Sequence, residues 1–274
     1  MFKIRCPAKL NTFLNVLKRR DDGYHEIHSN LQLIDLYDEI YFKRSDQTRI
    51  IADEKSLVSN NLVENAIQWF NKNFSANQCY EVTLKKLIPH GAGLGGGSSN
   101  AAHTIIFLCI INKIPVDKLN FHAISKDIGA DVPFFIHGKS ADVFGIGEKI
   151  EKDCFKGDDY LLIHPNIHIS TEDIFESHHL KLNTSIDRES NDLLAPLMQE
   201  STEFNDFFIK ISSMLKGSKH RLKLTGSGSC LYIVNPTKME KEILSQKIGD
   251  NFRIFFVKGL EYYDFVSDWG VAKW

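Results

Sequence analysis

Two runs near the start of the chain alternate apolar and polar residues: FKIRC at 2–6 and NLQLIDLYDEIYFKR at 30–44. That spacing puts every second side chain on one face and predicts strands. Over 61–73 the spacing lengthens. Leu62, Ala66, Trp69 and Phe70 fall on one face of a helix. Asn61 is placed to cap it, with Glu64 three residues on to complete a capping box. YEVTLKKLI at 80–88 alternates again and stops at Pro89, so it reads as a strand running into a loop. From Ser98 to about Ile111 the chain is apolar on more than one side, which predicts a buried helix ending before Pro115.

A further helix is expected from Asp117 to about Ile128, burying Leu119, Ala123, Ile124 and Ile128, with Gly129 as its C-cap. ADVPFFIHGKSADVFGIGE at 130–148 reads as a tight turn followed by strand-like residues. The texture then changes. YLLIHP (160–165), LYIVNP (231–236) and FRIFFVKGL (252–260) are strand-like, and 190–216 looks helical. These patterns place a domain boundary near 155, dividing the chain into 1–155 and 156–274.

At 274 residues, 43% hydrophobic and 25% charged, the chain can bury a core without disulfides. Its five cysteines are scattered with no CxxC pair, which fits reduced thiols. The net charge is −2, and the one basic run noted, Lys18-Arg19-Arg20, reads as a solvated turn; no nucleic-acid partner is expected. The N-terminus lacks a secretion signal and no apolar stretch reaches the length of a membrane span, so the expectation is a cytoplasmic, soluble protein with no membrane partner.

The sequence concentrates its chemistry in IPHGAGLGGGSSNAA at 88–102. Strand, glycine loop and helix in that order point to phosphate binding. Glycines let backbone N–H groups approach an anion, and a new helix adds unpaired N–H groups and partial positive charge. Ser98 and Ser99 offer hydroxyls to the helix start or to a phosphate-bound metal. Gly91, Gly93 and Gly96 match G-x-G-x-x-G, a weak signal alone. A dinucleotide-binding unit would need a second strand after the helix, and KIPVDKL is too short and Pro-broken for one. A Walker loop would follow the last glycine with Lys, where this chain has Ser98.

Two further stretches sharpen the picture, CPAKLNTFLNVLKRRDDGYHEI at 6–27 and LTGSGSCLYIV at 224–234. Together with the glycine loop and GADVPFF they resemble, in order, the motifs of the GHMP kinases. The match is strongest to the branch whose acceptor is a cytidine-diphosphate-linked polyol. The resemblance covers nearly the whole chain and is weakest at about 176–220. It implies an α+β fold with an N-terminal mixed-sheet nucleotide-binding domain, a C-terminal α/β-sandwich domain and the active site in the cleft between them.

The resemblance also implies roles. Asp131 matches the catalytic base and Lys9 the cation beside it; read alone, Asp131 is a turn residue before an apolar strand and Lys9 a surface charge. Asn11, one strand repeat beyond Lys9, shares its face and is a candidate to bind substrate or orient Asp131. ATP, arriving with Mg²⁺, is expected against Pro89, His90, Gly91, Ala92, Gly93, Leu94, Gly95, Gly96, Gly97, Ser98 and Ser99, with Lys86 as a further contact. Tyr24 and His25 match the cytosine pocket, where a ring stacks on the base and the histidine bonds its edge, and Phe175 corresponds to the second stacking ring. Thr225 and Gly226 lie in a second small-residue loop that closes over the site. Asn191-Asp192, in SNDL, also resembles a family stretch, with no role assigned to it. No protein-held catalytic metal is expected, because His164, His168, His178 and His179 lack zinc spacing. A homoserine- or mevalonate-type acceptor is the nearest alternative; a regulator without catalysis and a dinucleotide-dependent dehydrogenase stand further off.

Overall fold

The computed structural model describes residues 1–54, 57–183, 185–247, 252–265 and 270–271. Its first two strands, β1 (Phe2–Arg19) and β2 (His25–Arg44), form one long antiparallel hairpin. The turn between them places Gly23 at φ +88, and Asp22 accepts two hydrogen bonds from the Arg20 guanidinium. Register shifts at Pro7/Ala8, Asn11/Phe13 and Val16/Lys18 bend β1 along the molecule.

β2 also pairs with β4 (Tyr80–Lys85) and β5 (Ala141–Gly145); β3 (Arg49–Ala52) lies parallel to β4 and β6 (Lys149–Asp153) antiparallel to β5. The later strands are β7 (Asp159–His164), β8 (Lys223–Leu224), β9 (Leu231–Val234), β10 (Arg253–Leu260) and β11 (Gly270–Val271). The main path runs β11-β1-β2-β10-β7-β9-β8, so β10 joins the early and late strands into one sheet. The architecture is α+β.

Helix α1 (Leu62–Phe74) starts at Asn61, whose side chain accepts from the Val63 N–H. Helix α2 (Gly96–Ile111) is buried all round from Ser99 to Cys109 and packs against β1, β2 and helix α1. The helix expected over 117–128 is shorter. A single 3₁₀ turn occupies Val116–Lys118, and Asn120 then caps a new helix, α3 (Phe121–Asp127), by accepting from Ala123. The strand expected after Asp131 is instead α4 (Val132–His137). Pro133 suits its first turn and Gly138, at φ +72, closes it. Beyond α5 (Thr171–Glu176), the helical stretch at 190–216 is broken into α6 (Leu194–Glu200) and α7 (Thr202–Met214) by Ser201, which is extended and caps α7 through Phe204. Helix α8 (Lys238–Lys247) follows β9.

Three apolar cores share β1. Ile4 and Cys6 enter one built mainly from residues before 144, with Tyr263. Leu14 and Val16 enter a second, otherwise drawn from residues between 161 and 244. Ala8 and Leu10 enter a third, between the other two, with Leu94, Tyr160 and Cys230. Among the described residues no helix is long and apolar enough to cross a membrane.

Two buried histidines give the fold a pH dependence. His103 on α2 is fully buried; its Nδ1 sits 2.7 Å from the Ser99 carbonyl and its Nε2 has no partner among the described residues. Burial pushes its pKa down to about 4, and burial pushes that of His164 down to about 4 as well. An unfolded histidine titrates near 6.5. As the pH falls, the unfolded chain therefore takes up protons first, and stability drops between about pH 6.5 and 4 before levelling off. Each shift corresponds to about 3 kcal/mol. His103→Leu is expected to reduce the difference in unfolding free energy between pH 7 and 4.5 by about 2 kcal/mol, read by urea denaturation. An unchanged difference contradicts this assignment.

Candidate active site

Lys9 is 4% exposed, an unusual place for a lysine, and three contacts fix it. Its backbone N–H donates to the Leu94 carbonyl at 3.0 Å, which ties β1 to the glycine loop. Its Nζ donates to Asn11 Oδ1 at 2.6 Å and lies 3.3 Å from Asp131 Oδ2. Asn11 is oriented in turn: its Nδ2 donates to Ser29 Oγ at 2.8 Å and its backbone N–H to Thr225 Oγ1 at 3.0 Å. Asp131 occupies the cap position of α4 but makes no side-chain cap bond, so its half-exposed carboxylate faces Lys9 instead.

Opposite them runs the glycine loop. Gly91, Gly93 and Gly95 all have positive φ. A Cβ on Gly93 would overlap the Thr225 carbonyl, and one on Gly95 would come within 3.1 Å of Lys9 Cε. The glycines therefore bring the loop against Lys9 and the 225–228 loop. Gly95 caps α2 without a side-chain bond, leaving the first N–H groups of that helix open to an anion.

One cleft of about 360 Å³ takes in Lys9, Asn11, Asp131, Lys86, Pro89 through Ser98, Phe175 and Gly226. Ser99 is not in it. Its side chain is fully buried, its N–H is used by Gly95 O at 2.9 Å, and its hydroxyl lies 3.5 Å from His103 Nδ1. One step along a helix turns a side chain by about 100°, so Ser98 and Ser99 face opposite environments. Thr225 is likewise fully buried and outside the cleft lining: its hydroxyl accepts from Asn11 and donates to Gly93 O at 3.3 Å, locking two loops together. Lys86 reaches the cleft but is already paired with the buried Asp38 and donates to Asn100 Oδ1 at 2.9 Å. His90 stacks on His168, with ring centroids 5.5 Å apart; burial, then the neighbouring His168 and Lys86, lower its pKa.

At the other end of the cleft Phe175 is part of the lining; His25 is not, but its ring lies 5.4 Å from that of Phe175, directly behind the wall. Burial, then Arg19, lowers the His25 pKa, favouring a neutral ring that can both donate and accept. Tyr24 is 45% exposed and does not line the cleft.

Other residues complete the site, some of them, such as Asp38 and Thr171, outside every motif read from the sequence. Asp38 accepts from the N–H groups of Leu87 and Ile88 and from Asn100 Nδ2, setting the entrance to the glycine loop. Asn191 donates to the carbonyls of Leu224 and Gly226, and Asp192 accepts from Val16 N, which gives that pair a positioning role. Thr171 and Ser227 hydroxyls meet at 2.7 Å across the cleft.

Asp131 is the one carboxylate among the described residues lining the cleft. That single carboxylate is too sparse a donor set for the protein to cage a hard cation by itself; a Mg²⁺ ion there would be held mainly by phosphates. Elsewhere, exposed His178, His179 and Glu200 bring ligand atoms within 4.8 Å of one another.

Residues 61–139 match the description "GHMP kinases N terminal domain". The chain is 36% identical to a 4-diphosphocytidyl-2-C-methyl-D-erythritol kinase of Francisella tularensis subsp. novicida over 93% of this chain and 95% of that one. It is 36% identical to one of the same name from Polynucleobacter asymbioticus, over 94% and 92%. A crystal structure of 4-(cytidine 5'-diphospho)-2C-methyl-D-erythritol kinase superposes with a TM-score of 0.74 at 22% identity, covering 94% of this chain and all of the other. That likeness is one of fold.

Proposed function

The chain belongs to the GHMP kinases and, within them, to the 4-diphosphocytidyl-2-C-methyl-D-erythritol kinases, and from that membership we propose that it transfers the γ-phosphoryl group of ATP to the 2-hydroxyl of that cytidine-linked alcohol. The observation that carries the reading is the Lys9–Asn11–Asp131 constellation, with Nζ 2.6 Å and 3.3 Å from its partners, between a glycine loop suited to an anion and the Phe175 ring, which offers a face to a flat base. Asp131 takes the proton of the acceptor hydroxyl as its oxygen attacks phosphorus and ADP leaves. Lys9, 3.3 Å from that carboxylate, orients it and offsets negative charge on the transferring group; in such reactions positioning and electrostatics supply most of the rate. The open N–H groups of α2 and the glycine loop hold the phosphates. Mg²⁺, bound with ATP, neutralises phosphate charge.

The two domains we assign are 1–155 and 156–274; the first apolar core comes mainly from the one and the second mainly from the other, with Tyr263 and the Leu14–Val16 end of β1 crossing over. Free thiols and phosphorylated substrates suit the cytoplasm, and the reaction needs no nucleic acid or membrane.

ADP release coupled to an indicator enzyme tests the proposal. Turnover is expected with Mg-ATP and the cytidine-linked alcohol, with inhibition by CMP; ADP formation no faster than a blank overturns it. Phe175→Ala is expected to raise KM for that alcohol on the order of tenfold while KM for ATP holds, because one base-stacking face is worth about 1–3 kcal/mol. Equal changes in both constants contradict a stacking role.

A further inference from the structure

Asn11 lines the catalytic cleft, and its neighbour Thr12 lines a second cavity, of about 340 Å³, that shares no lining residue with the first. Cations dominate its wall: Lys156, Arg188, Lys219, Arg221 and Lys223 stand against the carboxylates of Asp158 and Glu189. Three of those cations come from 216–223, KGSKHRLK, a second basic run beyond the one at 18–20. Arg188 pairs with the buried Asp142 at 2.7 Å, and Lys223 with Glu189 at 2.6 Å. Lys156, Lys219 and Arg221 have no carboxylate within ion-pair distance among the described residues.

The cavity is bordered by two tyrosines packed edge to face, 5.9 Å between centroids. Tyr232 donates its hydroxyl to the Asn11 and Thr12 carbonyls at 3.1 Å. Tyr160 is 1% exposed, and its hydroxyl has no partner among the described residues. A buried hydroxyl left unbonded costs about 1–3 kcal/mol, so a ligand acceptor there satisfies a standing deficit. Clustered like charges repel one another, and a polyanion relieves that too.

We propose that this cavity is a second anion site that binds a diphosphate group, free or carried on a small organic residue, held by Lys156, Lys219 and Arg221 and reached by the Tyr160 hydroxyl. One phosphate would leave part of the cation set unmatched, whereas a diphosphate presents enough oxygens for the guanidinium fork and two ammonium groups together. Bound there, it lies one peptide from Asn11, with Tyr232 linking the cavity wall to the catalytic strand.

Isothermal titration of the full chain with pyrophosphate, and separately with methyl diphosphate, tests the site, each with the catalytic cleft empty and with it filled by excess ADP. Saturable binding that persists in ADP is expected. Lys219→Ala/Arg221→Ala is expected to weaken it by about tenfold or more, and Tyr160→Phe, which conserves packing, by several fold. Without ligand both variants are expected to melt at or above the wild-type temperature, since one removes an unbonded buried hydroxyl and the other two mutually repelling cations. Pyrophosphate binding without methyl diphosphate binding assigns the free ion; binding of both assigns the ester-bearing class. Displacement by ADP, affinity unaltered in both variants, or no saturable binding overturns the proposal.

Discussion

Asp131→Asn is expected to lower kcat by about 10²–10⁴-fold, the usual range for removal of a positioned base, while ATP affinity stays within a few fold. The asparagine keeps the size of the side chain and an oxygen that accepts from Lys9, so the lost property is the ability to take a proton. Lys9 Nζ lies 3.3 Å from the carboxylate and 2.6 Å from Asn11 Oδ1, so one ammonium group ties the three side chains into a unit. The double variant Lys9→Met/Asp131→Asn is therefore expected to lose little more than the poorer single variant, because residues acting as one unit are non-additive. Single-turnover rates with pre-bound ATP measure this directly. A rate within tenfold of wild type in Asp131→Asn removes the aspartate from its role and leaves positioning by Lys9 and the loop as the source of catalysis.

How far these features are legible in the sequence depends on their range. The glycine loop and the Lys9–Asn11 pair lie within short contiguous stretches, where a strand period of two or a run of small residues is informative. Around Asp131 the local pattern misleads. VPFFIH is six apolar-rich residues, and a run that short does not distinguish a buried strand from a helical turn. Helix α2 is apolar on every side, so its pattern has no phase from which to see that Ser98 faces the cleft and Ser99 the core. The clamp of Asp38 on Asn100 spans 62 residues, and Asn191 reaches Gly226 across 35. Neither periodicity nor composition carries such pairings; they follow from tertiary packing. The cations of the second cavity come from three separated segments and converge only in the fold.

Gly93→Ala is expected to cost both stability and activity, because two separate penalties meet at one atom. The residue sits at φ +71, where a side chain costs about 1–2 kcal/mol. Its Cβ would also overlap the Thr225 carbonyl oxygen and come within 3.2 Å of the Gly228 nitrogen. Those are backbone atoms, and no rotamer moves them away. The glycine loop must then part from the 225–228 loop, breaking the Thr225 hydroxyl's bond to Gly93 O and disturbing its bond from Asn11 N. Lys9 shifts with the loop through its bond to Leu94 O. A displacement near 1 Å at such a site lowers turnover about 10²-fold, and the clash and strain together are expected to lower unfolding free energy by about 2–4 kcal/mol. Gly97→Ala is the matched control. Gly97 lies in the first turn of α2, and an added Cβ would meet only the flexible end of Leu62, at 3.3 Å. That variant is expected to melt at or slightly above the wild-type temperature, since alanine favours a helix over glycine. Thermal unfolding and kcat measured on the pair separate a loop that needs glycine for contact with its neighbour from one that merely tolerates it. If Gly93→Ala matches Gly97→Ala in both, the two loops do not depend on their close approach.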